Sequence, residues 1–342
     1  MALTYWEMAR RTGPESWRHL RYLRSSPVIA DQKESLRNVF IMSLHQAEQQ
    51  FAAARAIGVE SRPLNIFYGL SQAGRALAAA FEARGARQGL ELQGHGIKCI
   101  NFGEVGVDPI NRFARLGIKA HGSAGASFNK LSGLLESEPL HSATSIANLW
   151  GMLVEPQLHE PLGHTSHPVL LVEGDPTRLA PGQQDTISLS SIPGSHSLSD
   201  ANEWKAFLRN YPSLSGSHLS RLTGRSVASG RKKETMSAEV TWQEGTLKVP
   251  LSATYSHYRG SKVVLPSPYS GGGSLHPLMI WWAVLFGLSM LCRYEPQTWT
   301  RVIDVNSSPH AVSIEYLLDV ALESVPDVLA ETLEAVLNPS DD

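Results

Sequence analysis

Cysteine is almost missing from this chain of 342 residues. Only Cys99 and Cys292 occur, so no disulfide framework is encoded, and both sit in apolar runs that read as buried thiols of a reducing compartment. Excess charge of either sign is missing as well, because 30 Lys+Arg stand against 32 Asp+Glu and leave a net charge of -2. A general nucleic-acid coat or membrane-surface binder has a stronger basic balance, so any polyanion site here must be local. The opening stretch MALTYWEMARRTGPESWRHLRYLR is charged and aromatic, without the apolar core of a secretory signal. Long apolar runs are nearly absent too. The one exception, Pro277 to Cys292, holds 16 uncharged residues, short of the roughly 20 that span a bilayer. It reads as a buried core helix, and the expected compartment is the cytoplasm, with no membrane partner. No Walker A, GxGxxG, GxSxG, CxxC or HExxH sequence is present. The common nucleotide, hydride, serine-hydrolase and zinc-protease chemistries therefore lack their usual supports, and no cofactor or metal is expected.

What is present is helical periodicity at both ends. Asp31 and Glu34 have the spacing of a capping box. Leu36, Val39, Phe40, Leu44, Ala47, Phe51 and Ala54 then repeat at three and four, one apolar face of a long helix that stops near Gly58. A second helix begins near Pro63, with Phe67, Leu70, Ala73, Gly74, Leu77 and Phe81 on one face, and ends at Gly85. Small residues Ala73, Gly74 and Ala76 would let another helix approach closely. The pair should form an antiparallel hairpin. Residues 90–121 break into short apolar runs among glycines and read as loop and short extended pieces, with a brief helix around Ser145 to Leu153.

Between about 155 and 275 Pro, Gly and Ser are dense and strand-like runs appear: PVLLVE (168–173), DTISLS (185–190), AEVTW (238–242), TLKVPL (246–251) and KVVL (262–265). One helix, opened by Asp200 and Glu203, interrupts them. The tail is helical again, with Ser308-Pro309 starting one helix and Pro326 another. The expected fold is α+β and mainly helical. A helical bundle forms from residues 1–154 and 276–342, and a β-containing module of residues 155–275 is inserted between them.

Two passages carry a family likeness. NIFYGLSQAGRALAAA (65–80) with HGIK (95–98), and HPLMIWWAVLFGLSMLCRYEP (276–296) with Trp299, Asp304 and Ser307-Ser308 downstream, resemble the YaaC-like family of bacterial proteins. The first passage is also similar, more weakly, to HEPN helical bundles, some of which are ribonucleases and others inert partners or nucleic-acid binders. That resemblance implies looking for an Arg followed by a His after four to six residues, and only Arg115 with His121 fits.

Other candidates come from the residues themselves. Arg75 is expected on the apolar side of its helix, where a cation would need a partner, and His95 lies between two glycines, open to a ligand and suited to acid or base work. Their plainer reading is a helix-end cation and a turn histidine. His159, His164 and His167 crowd one loop, yet their spacing fits no metal motif. RLTGRSVASGRKK (221–233) puts Arg221, Arg225, Arg231, Lys232 and Lys233 on what reads as a Gly/Ser-rich loop, either solvated or gripping phosphate. Gly271 to Gly273 reads as a linker or an anion nest. Arg293, Tyr294 and Glu295 follow the apolar helix and form either an ion-paired helix end or a polar pocket at the bundle mouth. Three functions stay open: a binding or regulatory protein acting with another protein or a second copy, a HEPN-like metal-independent ribonuclease, and an unrelated small-molecule enzyme.

Overall fold

A computed structural model describes residues 11–86, 91–155, 167–177, 184–193, 200–227, 234–243, 245–247 and 249–339, with Leu162 and Leu198 besides. Helices α1 (Gly13–Leu23), α2 (Pro27–Ala30), α3 (Glu34–Ala56) and α4 (Arg62–Ala83) open the chain. A three-stranded antiparallel sheet of β1 (Ile97–Cys99), β2 (Gly117–Ala120) and β3 (Thr144–Ser145) follows. It is interleaved with short helices α5 (Phe102–Val107), α6 (Pro109–Arg112), α7 (Ser127–Leu134) and α8 (Ile146–Gly151).

The middle of the chain supplies β4 (Leu170–Thr177), β5 (Asp185–Pro193), α9 (Ala201–Leu208), β6 (His218–Val227), β7 (Glu234–Trp242), β8 (Ser256–Tyr258) and β9 (Ser261–Val264). These strands pair antiparallel in the order β6-β7-β5-β4-β9-β8. Helices α10 (Pro277–Tyr294), α11 (Pro296–Val302) and α12 (Ala311–Leu337) close the fold, which is mainly helical α+β.

Helices α3 and α4 pack as the expected hairpin, and Phe40, Leu44, Leu70 and Leu77 are fully buried. Small residues set the spacing. A Cβ on Gly69 would come within 2.6 Å of Phe51, and one on Gly74 within 2.8 Å of Trp282 and of Leu131. Gly74 is thus where α10 presses onto α4. Of the hairpin's two helices, α4 is the one on which α10 chiefly packs. Helix α10 is the one described helix long and apolar enough to cross a membrane, and 83% of its 18-residue window is buried inside the protein. Its apolar surface is covered by α4, α8, α12 and β1, as a core helix requires.

Several local expectations are corrected. Asp31 does not cap α3. Pro27 begins α2, which carries the backbone of Asp31 into the helical region (φ -80°, ψ -4°), whereas an N-cap residue is extended. The capping box lies earlier, where Thr12 N–H donates to Glu15 Oε2 at 2.8 Å. The described residues of TLKVPL form no strand, because Pro250 has no N–H to give a ladder and leads into a 3-10 turn at Leu251–Thr254. Pro326 does not start a helix but lies inside α12. Its missing N–H leaves the Leu322 carbonyl unpaired within the helix, and Gly13 lies against that carbonyl, where a Cβ would approach it to 2.9 Å. Asp200 does cap α9, accepting from the N–H of Asn202 and of Glu203 at 2.7 and 3.0 Å.

Two hydrophobic cores result. The larger joins α1, α3, α4, α10 and α12, and includes Tyr258 and Val263 from the β8–β9 hairpin. The smaller lies between the six-stranded sheet and α9, around Trp204, Phe207, Tyr211 and Trp242. The glycine run before α10 is no free linker. Glu138 accepts from Gly273 N–H at 2.7 Å and from the Tyr269 hydroxyl, which fills the expected nest with a carboxylate from within the chain.

Candidate functional site

Helices α4 and α10 run side by side, and their outer rims carry Tyr68 and Arg293. The guanidinium Nη1 of Arg293 donates to Tyr68 Oη at 2.8 Å and the group lies 5.0 Å from the Tyr294 ring centroid, a cation–π arrangement. Tyr68 and Tyr294 are large exposed side chains, the latter 58% exposed. Beside them His95 is held between Gly94 and Gly96, whose φ of 53° and 73° only glycine adopts without strain. A Cβ on Gly96 would also meet the Phe128 N–H at 2.6 Å. The half-buried imidazole lies 5.5 Å from the Phe67 ring and 5.7 Å from the Phe286 ring. Burial, and then the charge of Arg293, hold its pKa below the usual histidine value, so it is neutral at neutral pH.

This cluster draws on both sequence passages that carry the family likeness: Tyr68 from the Ala-rich helix and His95 from the HGIK that goes with it, and Arg293 and Tyr294 from RYEP. The expected Arg–carboxylate bridge at the end of α10 is replaced by the Arg293–Tyr68 bond, and Glu295 forms the joint between α10 and α11. Asp304 is occupied by Ser307 Oγ at 2.6 Å and Asn306 N–H at 3.0 Å.

The remaining candidates are dispersed. Arg75 is exposed, not buried as expected. It stands seven residues from Tyr68, two turns along the same outer stripe, while Ala73, Gly74 and Ala76 to Ala80 form the buried face. Arg115 and His121 are both exposed and lie at opposite ends of β2. Arg115 ends a 3-10 turn and the four-residue strand Gly117–Ala120 separates it from His121, so the two do not lie on one helix face. They do not form the pair that the HEPN likeness asks for. The basic segment is not a plain loop either. Arg221 and Arg225 belong to the edge strand β6, and Arg221 stands opposite Glu239 in the ladder. Arg231, Lys232 and Lys233 lie outside the described residues, as do His159 and His164. His167 bonds Asn210 at 2.9 Å and lies against Phe207 and Tyr211. Cys99 and Cys292 are half-buried. Burial pushes their thiols up to about 12 and about 11, and Cys292 donates to the Glu60 carbonyl.

A buried ionic cluster had no signal in the sequence. Arg259 is the first residue of the two-residue turn joining β8 and β9, with φ 50° followed by Gly260 at 74°, the signature of a type I′ hairpin. Its side chain is buried. Nη1 donates to Glu155 Oε1 and to Ser324 Oγ, each at 2.8 Å, and Nε to Asp327 Oδ2 at 3.0 Å. Tyr258 Oη donates to Glu155 Oε2 at 2.5 Å and accepts from Trp281 Nε1 at 3.1 Å. Burial works against the guanidinium charge, yet Glu155 and Asp327 outweigh it and hold the pKa above the ordinary arginine value. Arg11 pairs with Asp327 as well, Nε to Oδ1 at 3.6 Å, and Glu331 accepts from the N–H of Arg259 at 2.6 Å, so the cluster ties the β8–β9 hairpin to α10 and α12. Among the described residues no group of three or more His, Cys, Asp or Glu could hold a metal ion.

The architecture and the Tyr68–His95–Arg293 cluster define a helical protein with an inserted antiparallel sheet, built on the residues of one family. The sequence matches the YaaC-like Protein family over residues 8–333, nearly its full length, and the chain belongs to that family. Neither the curated proteins nor the solved structures contain a match to it.

Proposed function

We propose that this YaaC-like chain is a binding or regulatory protein, a component of a multi-protein bacterial system such as phage defence, that docks a partner protein on the Tyr68–Arg293–Tyr294 surface. The observation that carries this reading is the exposed pairing of two tyrosines with one arginine over an aromatic floor of Phe67 and Phe286. Tyrosine and arginine are the side chains that concentrate binding energy at protein interfaces, because each presents a large, stiff apolar area with a polar tip. His95 then acts as a neutral wall of the surface.

A second reading, the metal-independent HEPN-like ribonuclease, is favoured by one fact: a neutral imidazole and a guanidinium share this site. Such an enzyme needs a base to move a proton and a cation for the developing charge. Labelled RNA and single-stranded DNA, incubated with the pure protein with and without EDTA, separate the two. The binding reading expects intact substrate in every lane. Cleavage that persists in EDTA and falls about 100-fold or more in both His95→Ala and Arg293→Ala would replace it with the nuclease.

A further inference from the structure

Strand β6 is one edge of the six-stranded sheet, and among the described residues no strand pairs with its outer side. An open edge presents a row of main-chain N–H and C=O groups to an arriving chain. The side chains along it show what kind of chain fits. Residues opposite each other in an antiparallel ladder share a face, and the buried Val240 and Ala238 of β7 face the small core under α9. Leu219 is registered with Val240, and Leu222 with Ala238. Three residues apart, the two leucines would point to opposite faces of a regular strand. A bulge at Ser220, where Leu219 and Arg221 oppose the neighbours Val240 and Glu239, brings both leucines to the inner face.

That inner face is uncovered at the edge. Leu222 is 42% exposed, although its ladder partner Ala238 is buried. At Leu219 an open cleft of about 360 Å³ lies between β6 and α9, walled also by Trp204, Lys205, Leu208 and Gly216. Arg221 belongs to the other face, opposite Glu239. No ion pair joins the two, and Glu239 Oε1 accepts instead from the Ser220 hydroxyl at 3.1 Å.

We propose that β6 is the docking edge for an extended segment of another protein in which apolar residues alternate with Asp or Glu. The segment adds a strand to the sheet, and the β6 main chain supplies the ladder. Its apolar residues cover Leu222 and reach the cleft beside Leu219, while its carboxylates lie on the face of Arg221. The period of two in a strand is what demands the alternation. A second copy of this chain fits poorly, because β6 reads HLSRLTGRSV, with two arginines and no acid, and pairing it with itself brings like charges together. The edge shares no residue with the Tyr68–Arg293–Tyr294 surface and does not rest on it.

Fluorescence anisotropy with the full chain tests the assignment, using a labelled, end-blocked Glu-Val-Glu-Val-Glu-Val-Glu peptide. It should bind with a Kd below about 1 mM. Alternate residues of a strand direct their N–H groups to opposite edges. Of two N-methylated versions, one blocked at every valine nitrogen and one at every glutamate nitrogen, one should therefore lose about tenfold or more and the other should not. Leu222→Ser should weaken the peptide about tenfold and Arg221→Ala about threefold. Both positions are exposed, so the melting temperature should hold. No binding at millimolar concentration would overturn the proposal. So would equal binding of the two methylated peptides, or unchanged affinity in the Arg221→Ala/Leu222→Ser double variant.

Discussion

Replacing Arg259 with methionine should lower the unfolding free energy by about 3–5 kcal/mol, the cost of leaving buried charges without their counter-charge. Glu155 and Asp327 each accept from this one guanidinium, and both are nearly fully buried, as are Ser324 and Tyr258 around them. Loss of the cation strands Glu155 and leaves Asp327 only its longer contact with Arg11, Nε to Oδ1 at 3.6 Å. Lysine should not rescue, since a single ammonium cannot bridge Glu155, Ser324 and Asp327 in the planar geometry that Nε and Nη1 supply. Urea unfolding of the wild-type, Arg259→Met and Arg259→Lys proteins checks this. A loss under about 1 kcal/mol in Arg259→Met would show that the cluster is solvated rather than buried. Because the arginine sits in the β8–β9 turn while its partners sit beside α8 and on α12, the same variant should loosen the six-stranded sheet from the bundle. Amide exchange in β8 and β9 should then quicken before exchange in α4 does.

Acid should weaken this protein well above the range in which carboxylates titrate. His276 caps α10, its Nδ1 accepting the Leu278 N–H at 3.2 Å, and only an unprotonated nitrogen can accept. Burial pushes its pKa down to about 4, from an ordinary 6.5. The unfolded chain therefore takes up a proton as pH drops through 6.5, whereas the folded chain resists until about 4. Stability from this residue is complete above the unfolded value and drains away as pH falls towards the folded one. Its size is about 2 kcal/mol, since the residue keeps some surface in water. His95 and His257 are shifted in the same direction by burial and by Arg293 and Lys262 respectively, and add to the slope. His276→Asn keeps a capping acceptor that does not titrate. Urea midpoints at pH 7.5 and pH 5 should therefore lie closer together in that variant than in the wild type. Equal separation in both proteins would remove His276 from the account.

Much of the fold is legible in the sequence because it rests on periodicity. The α3 and α4 stripes, the apolar run of α10 and four of the strand runs show which residues face inward, and the structure buries them accordingly. Glycine at 74 reads correctly as a point of close helix approach. Local signals fail where a neighbour competes for the same backbone, as when Pro27 draws Asp31 into α2. They fail also where packing overrides propensity, as with Pro326 inside α12 against Gly13. Strand β6 was hidden because its arginines and serines look like a loop, and only pairing with β7 makes them a strand.

The site was half visible. His95, Arg293 and Tyr294 stood out as polar residues beside apolar or glycine-rich stretches, but Tyr68 looked like one more aromatic on a core helix. Arg75 misled because it follows Ala73 and Gly74, although a helix turns 100° per residue and carries it outward. The Arg259 cluster could not be seen at all. Glu155, Arg259 and Asp327 are separated by 104 and 68 residues and meet only through the tertiary fold.

The docking surface is tested most directly by placing a photo-crosslinking amino acid at Tyr294, with a second version at the exposed Val312 of α12, in cells that produce the full chain. The account predicts one discrete adduct from position 294, with a partner protein or a second copy of the chain, that disappears when Arg293→Ala is added and is not formed from position 312. No adduct from 294, or the same adducts from both positions with Arg293 making no difference, would contradict it.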